Sequence, residues 1–186
     1  MTVALTKRRF TVEEYHRMAE VGILTDEDRV ELIDGEIVEM TPIGGRHAWC
    51  VMFLNEFFVK NLTDRALVSP QGPLRLGRQT QLQPDLALLR PPRDAYRKTV
   101  PASADVLLII EVADTSLERD RAIKLPRYAA LDVREVWIVD VESQAVEVCR
   151  TPTPSGYQDA QRVGLDGHVS PAAFPDLRVS VAELLG

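Results

Sequence analysis

The chain has 186 residues, 45% of them apolar and 27% charged, and a net charge of −6. That length supports one well-filled core and is short for two. No run is long and apolar enough to span a bilayer, and the acidic balance argues against broad, non-specific nucleic-acid binding, which rests on basic surface.

The first nine residues are basic but lack the apolar stretch of an export signal, so a cytoplasmic location is expected. In that setting Cys50 and Cys149, far apart and without metal-type spacing, read as reduced core thiols. Thr11 and Glu14 fit a capping box at the start of a first helix, with Tyr15, Met18, Ala19 and Phe10 as its apolar side. Asp34-Gly35 then sits between two alternating runs, 29–33 and 36–40, a strong hairpin signal because a tight primed turn needs positive φ. Residues 47–61 read as a helix with Trp49, Val51, Met52, Leu54, Phe57 and Phe58 toward the core.

Short strands are expected at 66–68 and 74–76, then two central strands, 86–89 and 106–110. Between the central pair lies a connector, 91–104, carrying Arg90, Arg93, Arg97 and Lys98 in or beside it. Connectors of that length tend to be functional or mobile, and this one reads as a solvated loop or a basic contact surface. Thr115 with Glu118 fits a second capping box, so a helix is expected through Ala122, Tyr128 and Leu131. Pro126 inside it should cause a kink or break, because proline lacks the N–H and clashes with the carbonyl four residues back. A second hairpin at 135–139 and 145–149, a turn-rich stretch with one short strand pair at 157–169, and a closing strand or helix at 179–185 complete the chain. The expectation is one domain over 1–186, a mixed α/β (α+β) fold with a mixed sheet flanked by helices.

The candidate chemistry lies at the ends of the two central strands. If these are antiparallel neighbours, pairing of constant sum sets Asp85 across from Glu111, Ala87 across from Ile109 and Leu89 across from Leu107. Like charges directly opposite destabilise a sheet, and buried carboxylates are costly unless paired or bound to metal. Two acids converging there point to a divalent cation such as magnesium, which takes oxygen ligands. Each acid also has a plainer reading: Glu111 as a strand-end carboxylate facing water or an arginine, Asp85 as part of a Pro-Asp turn.

Lys124 follows on a stripe with Asp120 and Tyr128. It reads either as the surface partner of Asp120 or as an ammonium beside a metal and a scissile phosphate. Glu31 could extend the acidic site from the first hairpin or simply face solvent. His47, at the start of its helix, could touch the site or be structural, and Gln83 is a polar neighbour. There is no nucleophile elbow, no P-loop and no Cys-x-x-Cys pair, and the three histidines show no zinc spacing.

The ordered set Thr11-Val12-Glu13-Glu14-Tyr15, Glu31-Leu32-Ile33-Asp34-Gly35-Glu36, Gln83-Pro84-Asp85, Leu108-Ile109-Ile110-Glu111-Val112, Lys124 with Tyr128, and Val136-Trp137-Ile138-Val139-Asp140 resembles the Uma-two family of the PD-(D/E)XK nuclease superfamily. The resemblance implies a restriction-endonuclease-like fold and a magnesium- or manganese-dependent endonuclease acting on DNA, commonly as a homodimer. The leading reading has a metal held by Asp85 and Glu111 with the Val112 carbonyl, and Glu31 and His47 as second-tier members of the catalytic set. The superfamily's lysine stands two residues after the second acid, where this chain has Ala113. The family resemblance implies that Lys124 takes that role. The rival reading, favoured by Ala113, is a non-catalytic binding or assembly module on the same scaffold, and an RNA-directed nuclease is a weaker third.

Overall fold

A computed structural model describes residues 6–186, so Met1 to Leu5 of the expected leaderless N-terminus lie outside the described residues. Helix α1 (Val12–Glu20) opens with the expected capping box. Thr11 Oγ1 accepts from the Glu14 N–H at 3.2 Å, and Glu14 Oε2 accepts from the Thr11 N–H at 2.9 Å. Thr11→Ala is expected to cost about 1 kcal/mol, read as a lower urea midpoint; an unchanged midpoint would show that tertiary packing alone holds this end.

Strands β1 (Val30–Ile33) and β2 (Glu36–Glu39) form the expected hairpin, with Asp34 at φ 49° and Gly35 at φ 76°. Gly35 is required twice over: by its positive φ, and because a Cβ there would lie 2.7 Å from Arg9 Cβ and 2.9 Å from the Phe10 backbone. Helix α2 (Gly45–Leu62) follows. It buries Cys50, Leu54, Phe58 and Leu62, one face at four-residue spacing. Trp49 and Met52, expected in the core, stand off that stripe and are 50% and 61% exposed.

After α2 come β3 (Leu67–Pro70), β4 (Leu74–Arg75), β5 (Gln81–Leu82), β6 (Leu86–Leu89) and β7 (Val106–Ala113). A short helix α3 (Leu117–Arg119), a π-helical turn (Asp120–Lys124) and α4 (Leu125–Ala130) lead to β8 (Glu135–Asp140) and β9 (Ala145–Thr153). The chain ends with β10 (Gly156–Gly164), β11 (His168–Val169), β12 (Val179–Ser180) and α5 (Val181–Leu185).

The strands make a six-stranded sheet in the order β10-β9-β8-β7-β6-β3, a four-stranded sheet β2-β1-β5-β4, and the pair β11-β12. In the large sheet β7 and β8 run parallel and the other neighbours antiparallel, so it is mixed as expected. Its central strands are buried on both faces, which is why they read as unbroken apolar runs. Leu86, Leu88, Leu108, Ile110 and Trp137 pack with α2 and α5 on one side. Ala87, Ile109, Val136 and Ile138 pack on the other with Ile33 and Leu82 of the small sheet and Tyr128 of α4. Cys50 and Cys149 are free and buried, in these two separate clusters. Among the described residues no helix is long and apolar enough to cross a membrane.

Several local expectations are corrected. Leu89 pairs with Val106 and not Leu107, because a bulge at Leu88/Leu89 shifts the register by one residue. Ser116 caps no helix: its φ, ψ of −102°, 0° are not extended, and the proposed Thr115–Glu118 box does not form. Residues 157–169 hold two strands that do not pair with each other: β10 takes a full-length partner in β9, and the two-residue β11 pairs with β12. Pro126 does break the α-helical pattern. The turn before it widens so that Leu125 N–H reaches the Asp120 carbonyl, which relieves the crowding a proline imposes on the preceding turn.

Candidate active site

The carboxyl end of β7 and the start of β6 open into a cleft of about 150 Å³. The hairpin β1–β2, the first turn of α2 and the π-helical turn form its walls. Asp85, Glu111, Val112, Lys124, Glu31, His47 and Gln83 line this one cleft.

Asp85 and Glu111 are not bare opposed charges. The β6–β7 ladder begins at Leu86↔Ile110, and Asp85 stands one step beyond it. Asp85 Oδ2 accepts from the Val112 N–H at 2.8 Å, and Asp85 Oδ1 lies 3.0 Å from His47 Nε2. Glu111 Oε1 accepts from the Tyr128 hydroxyl at 2.5 Å, and Oε2 from Lys124 Nζ at 3.1 Å. Glu111 is thus held by two hydrogen bonds from the helical segment, and Asp85 by one from the neighbouring strand with the His47 imidazole in close contact. Ionised carboxylates have about four lone-pair sites, so both keep acceptor capacity toward the cleft.

Lys124 is buried, with its ammonium 3.1 Å from Glu111, 3.5 Å from Glu31 and 3.9 Å from Asp120. It is not a surface partner of Asp120. Glu31 is also buried, contrary to the solvent-facing reading. Its oxygens accept from the Gln83 N–H at 2.7 Å and from Arg119 Nη2 at 3.1 Å. Glu31 therefore ties the small sheet to the Gln83-Pro84-Asp85 segment and helps enclose Lys124. Ala113, the position of the superfamily's lysine, belongs to the same apolar cluster as Tyr128 and Ile138.

Electrostatically the cleft is over-supplied with negative charge. Burial, chiefly, pushes the Glu111 carboxyl up to about 8 against the opposing pull of Lys124, with Asp120, Asp85 and Glu31 adding to the rise. Burial also lifts Asp120. Burial disfavours the Lys124 ammonium, but Glu111, Glu31, Asp120 and Asp85 together outweigh it and raise its pKa, so it stays charged. Burial and the adjacent Glu111 raise the Tyr128 hydroxyl well above its usual value, which keeps it a donor.

Asp120 and Arg119 were not among the predicted site residues. Asp120 accepts from Ser116 Oγ at 2.6 Å and lines the cleft; its signal was the four-residue stripe with Lys124 and Tyr128. Arg119 had none, since its partners Glu31 and the Glu39 carbonyl lie 88 and 80 residues away. The basic connector does not join the site. It links the end of β6 to the start of β7, the ends opposite the cleft, and is closed at its base by Arg90 N–H to the Asp105 carbonyl at 2.8 Å.

A family model named Uma2, described as "Putative restriction endonuclease", matches residues 12–182. No curated protein matches the chain. Among solved structures, a nuclease of the DUF820 group from Anabaena variabilis ATCC 29413, itself described as putative, superposes with a TM-score of 0.73 at 16% identity, covering 95% of this chain and 97% of that one. At that identity the likeness is one of fold, and the fold is restriction-endonuclease-like.

Proposed function

The chain belongs to the Uma2 family, and from that membership we propose that it is a metal-dependent endonuclease that hydrolyses phosphodiester bonds in DNA. The observation that carries this reading is the buried ammonium of Lys124, 3.1 Å from Glu111 in the cleft that Asp85 also lines. A lysine turned to solvent would have favoured a non-catalytic binding module.

The donors fit a hard divalent cation. Asp85, Glu111 and the Val112 carbonyl offer oxygen only, the donor type such ions take. Among the described residues no three His, Cys, Asp or Glu side chains form a ready-made cage. That suits magnesium or manganese held by one or two carboxylates with water in the remaining positions better than a closed zinc site. When bound, such an ion supplies Lewis acidity, activating water and neutralising charge on the phosphoryl oxygens.

The chain's own residues supply the rest. Asp85 and Glu111 would hold the ion, Glu111 oriented by Tyr128 and Lys124 and Asp85 by the Val112 N–H. Lys124 keeps a full positive charge in a water-poor setting, where it can orient the attacking water or stabilise charge developing on the phosphate. Glu31 and Arg119 hold Lys124 and the Asp85 segment in register. With a net charge of −6, the ion also offsets repulsion between the acidic cleft and a polyanion.

The test is calorimetric titration of Mn²⁺ into the wild type and Asp85→Asn, with plasmid nicking on the same samples. Wild type should bind and nick, and Asp85→Asn should do neither. Binding without nicking would move the reading to a degenerate, non-catalytic site. Absence of binding in the wild type would overturn it.

A further inference from the structure

Among the described residues His47 is the only histidine lining the cleft, and the proposed chemistry assigns it no role. It enters from the first turn of α2, across the sheet face from Lys124 and Tyr128, and its side chain is only 12% exposed. Nε2 lies 3.0 Å from Asp85 Oδ1, while Asp85 Oδ2 is taken by the Val112 N–H at 2.8 Å. Nδ1 is buried and has no hydrogen-bond partner.

We propose that His47 is the positioning residue for Asp85: through Nε2 it fixes the orientation of that carboxylate and thereby sets the affinity of the site for its divalent ion. The inference rests on the metal-site reading of the cleft. With a carboxylate oxygen as its partner, Nε2 is the nitrogen that presents an N–H to Asp85. His47 is not itself a ligand. One nitrogen is engaged by Asp85, the other is sealed from the cleft, and His47, Asp85 and Glu111 do not converge as a three-residue metal cage.

Asp85 stands beyond the last paired residue of β6; the Gln71 N–H holds its backbone carbonyl at 3.0 Å, but its side chain needs a partner of its own. Glu111 sits inside an eight-residue central strand and has Tyr128 and Lys124 besides. Asp85 has one backbone N–H and His47. Without the imidazole its carboxylate is tethered through Oδ2 alone and can rotate away from Glu111. Groups that orient a metal's ligands typically influence affinity by 10- to 100-fold.

The experiment is Mn²⁺ titration by calorimetry, with thermal melting, of the full chain as wild type, Asp85→Asn, His47→Ala, His47→Gln and His47→Asn. Glutamine places an N–H near the position of Nε2, whereas asparagine places one near Nδ1. His47→Ala and His47→Asn should bind Mn²⁺ about 10-fold or more weakly, and His47→Gln should recover most of the affinity at the same melting temperature. Wild-type affinity in His47→Ala, with binding still lost in Asp85→Asn, would overturn the inference and leave the metal site standing. Equal loss in Ala, Asn and Gln would also overturn it, by showing that bulk and not the Nε2 donor matters. No binding by wild type would remove the metal site and the inference together.

Discussion

Lys124→Met is expected to destabilise the metal-free protein by about 3–5 kcal/mol, because it removes one side of a buried ion cluster and leaves the other in place. Glu111, Glu31 and Asp120 would face one another across a cleft in which Lys124 is their shared cation. Methionine matches the length and much of the volume of lysine, so the loss reports charge and not a cavity. Two of the three carboxylates come from β1 and β7, elements of different sheets, so the same change loosens the contact between the sheets. Urea denaturation at neutral pH measures the effect, and Mn²⁺ should restore part of the stability by supplying positive charge at the same place. Nicking should be lost even where saturating Mn²⁺ restores the fold. A stability within 1 kcal/mol of wild type would mean that the three acids accept protons with little penalty, and retained nicking would remove Lys124 from the proposed chemistry.

Glu111→Gln is expected to abolish Mn²⁺ binding and nicking while changing the pH dependence of stability in a defined direction. The folded carboxyl is raised from 4.5 to about 8. Between those values the folded state holds a proton that the unfolded state has released, so the stability of the metal-free protein falls as pH rises through the window and levels above it. Asp120, also raised, acts in the same direction. Lys124, raised from 10.5, contributes stability that is constant throughout this window. Carboxylates held low by arginine, such as Asp34 beside Arg127 and Asp176 beside Arg65, lose their contribution only at more acid pH. Melting temperatures from pH 5 to 8 should therefore decline in the wild type, decline less in Glu111→Gln, and decline less in the wild type with Mn²⁺, which favours the ionised carboxylate. A flat metal-free wild-type profile, or an unchanged slope in Glu111→Gln, would contradict the assignment.

The positions of the local elements were legible because each rests on short-range chemistry. Thr11 and Glu14 are a turn apart, Asp34-Gly35 is a turn by itself, and the runs ending in Leu89 and Ile110 can bury both faces only as central strands. The antiparallel sum rule set Leu86 to Leu88 opposite Ile110 to Leu108, and it failed at Leu89 because a bulge leaves no pattern in an all-apolar run. Trp49 and Met52 failed for a related reason. The unbroken apolar run 48–54 does not say which face of its helix meets the sheet.

By itself the sequence determined the helices, the hairpins, the strand ends that carry Asp85 and Glu111, and the apolar content that makes a two-sided sheet. Tertiary structure decided which side chains meet. Glu31 with Lys124, Arg119 with Glu31, and His47 with Asp85 are contacts between elements far apart in the chain. Whether a carboxylate among them is a solvated surface group or a buried one in need of a cation depends on what the rest of the fold removes from water. That is a property of the packed layers and of no local stretch of residues.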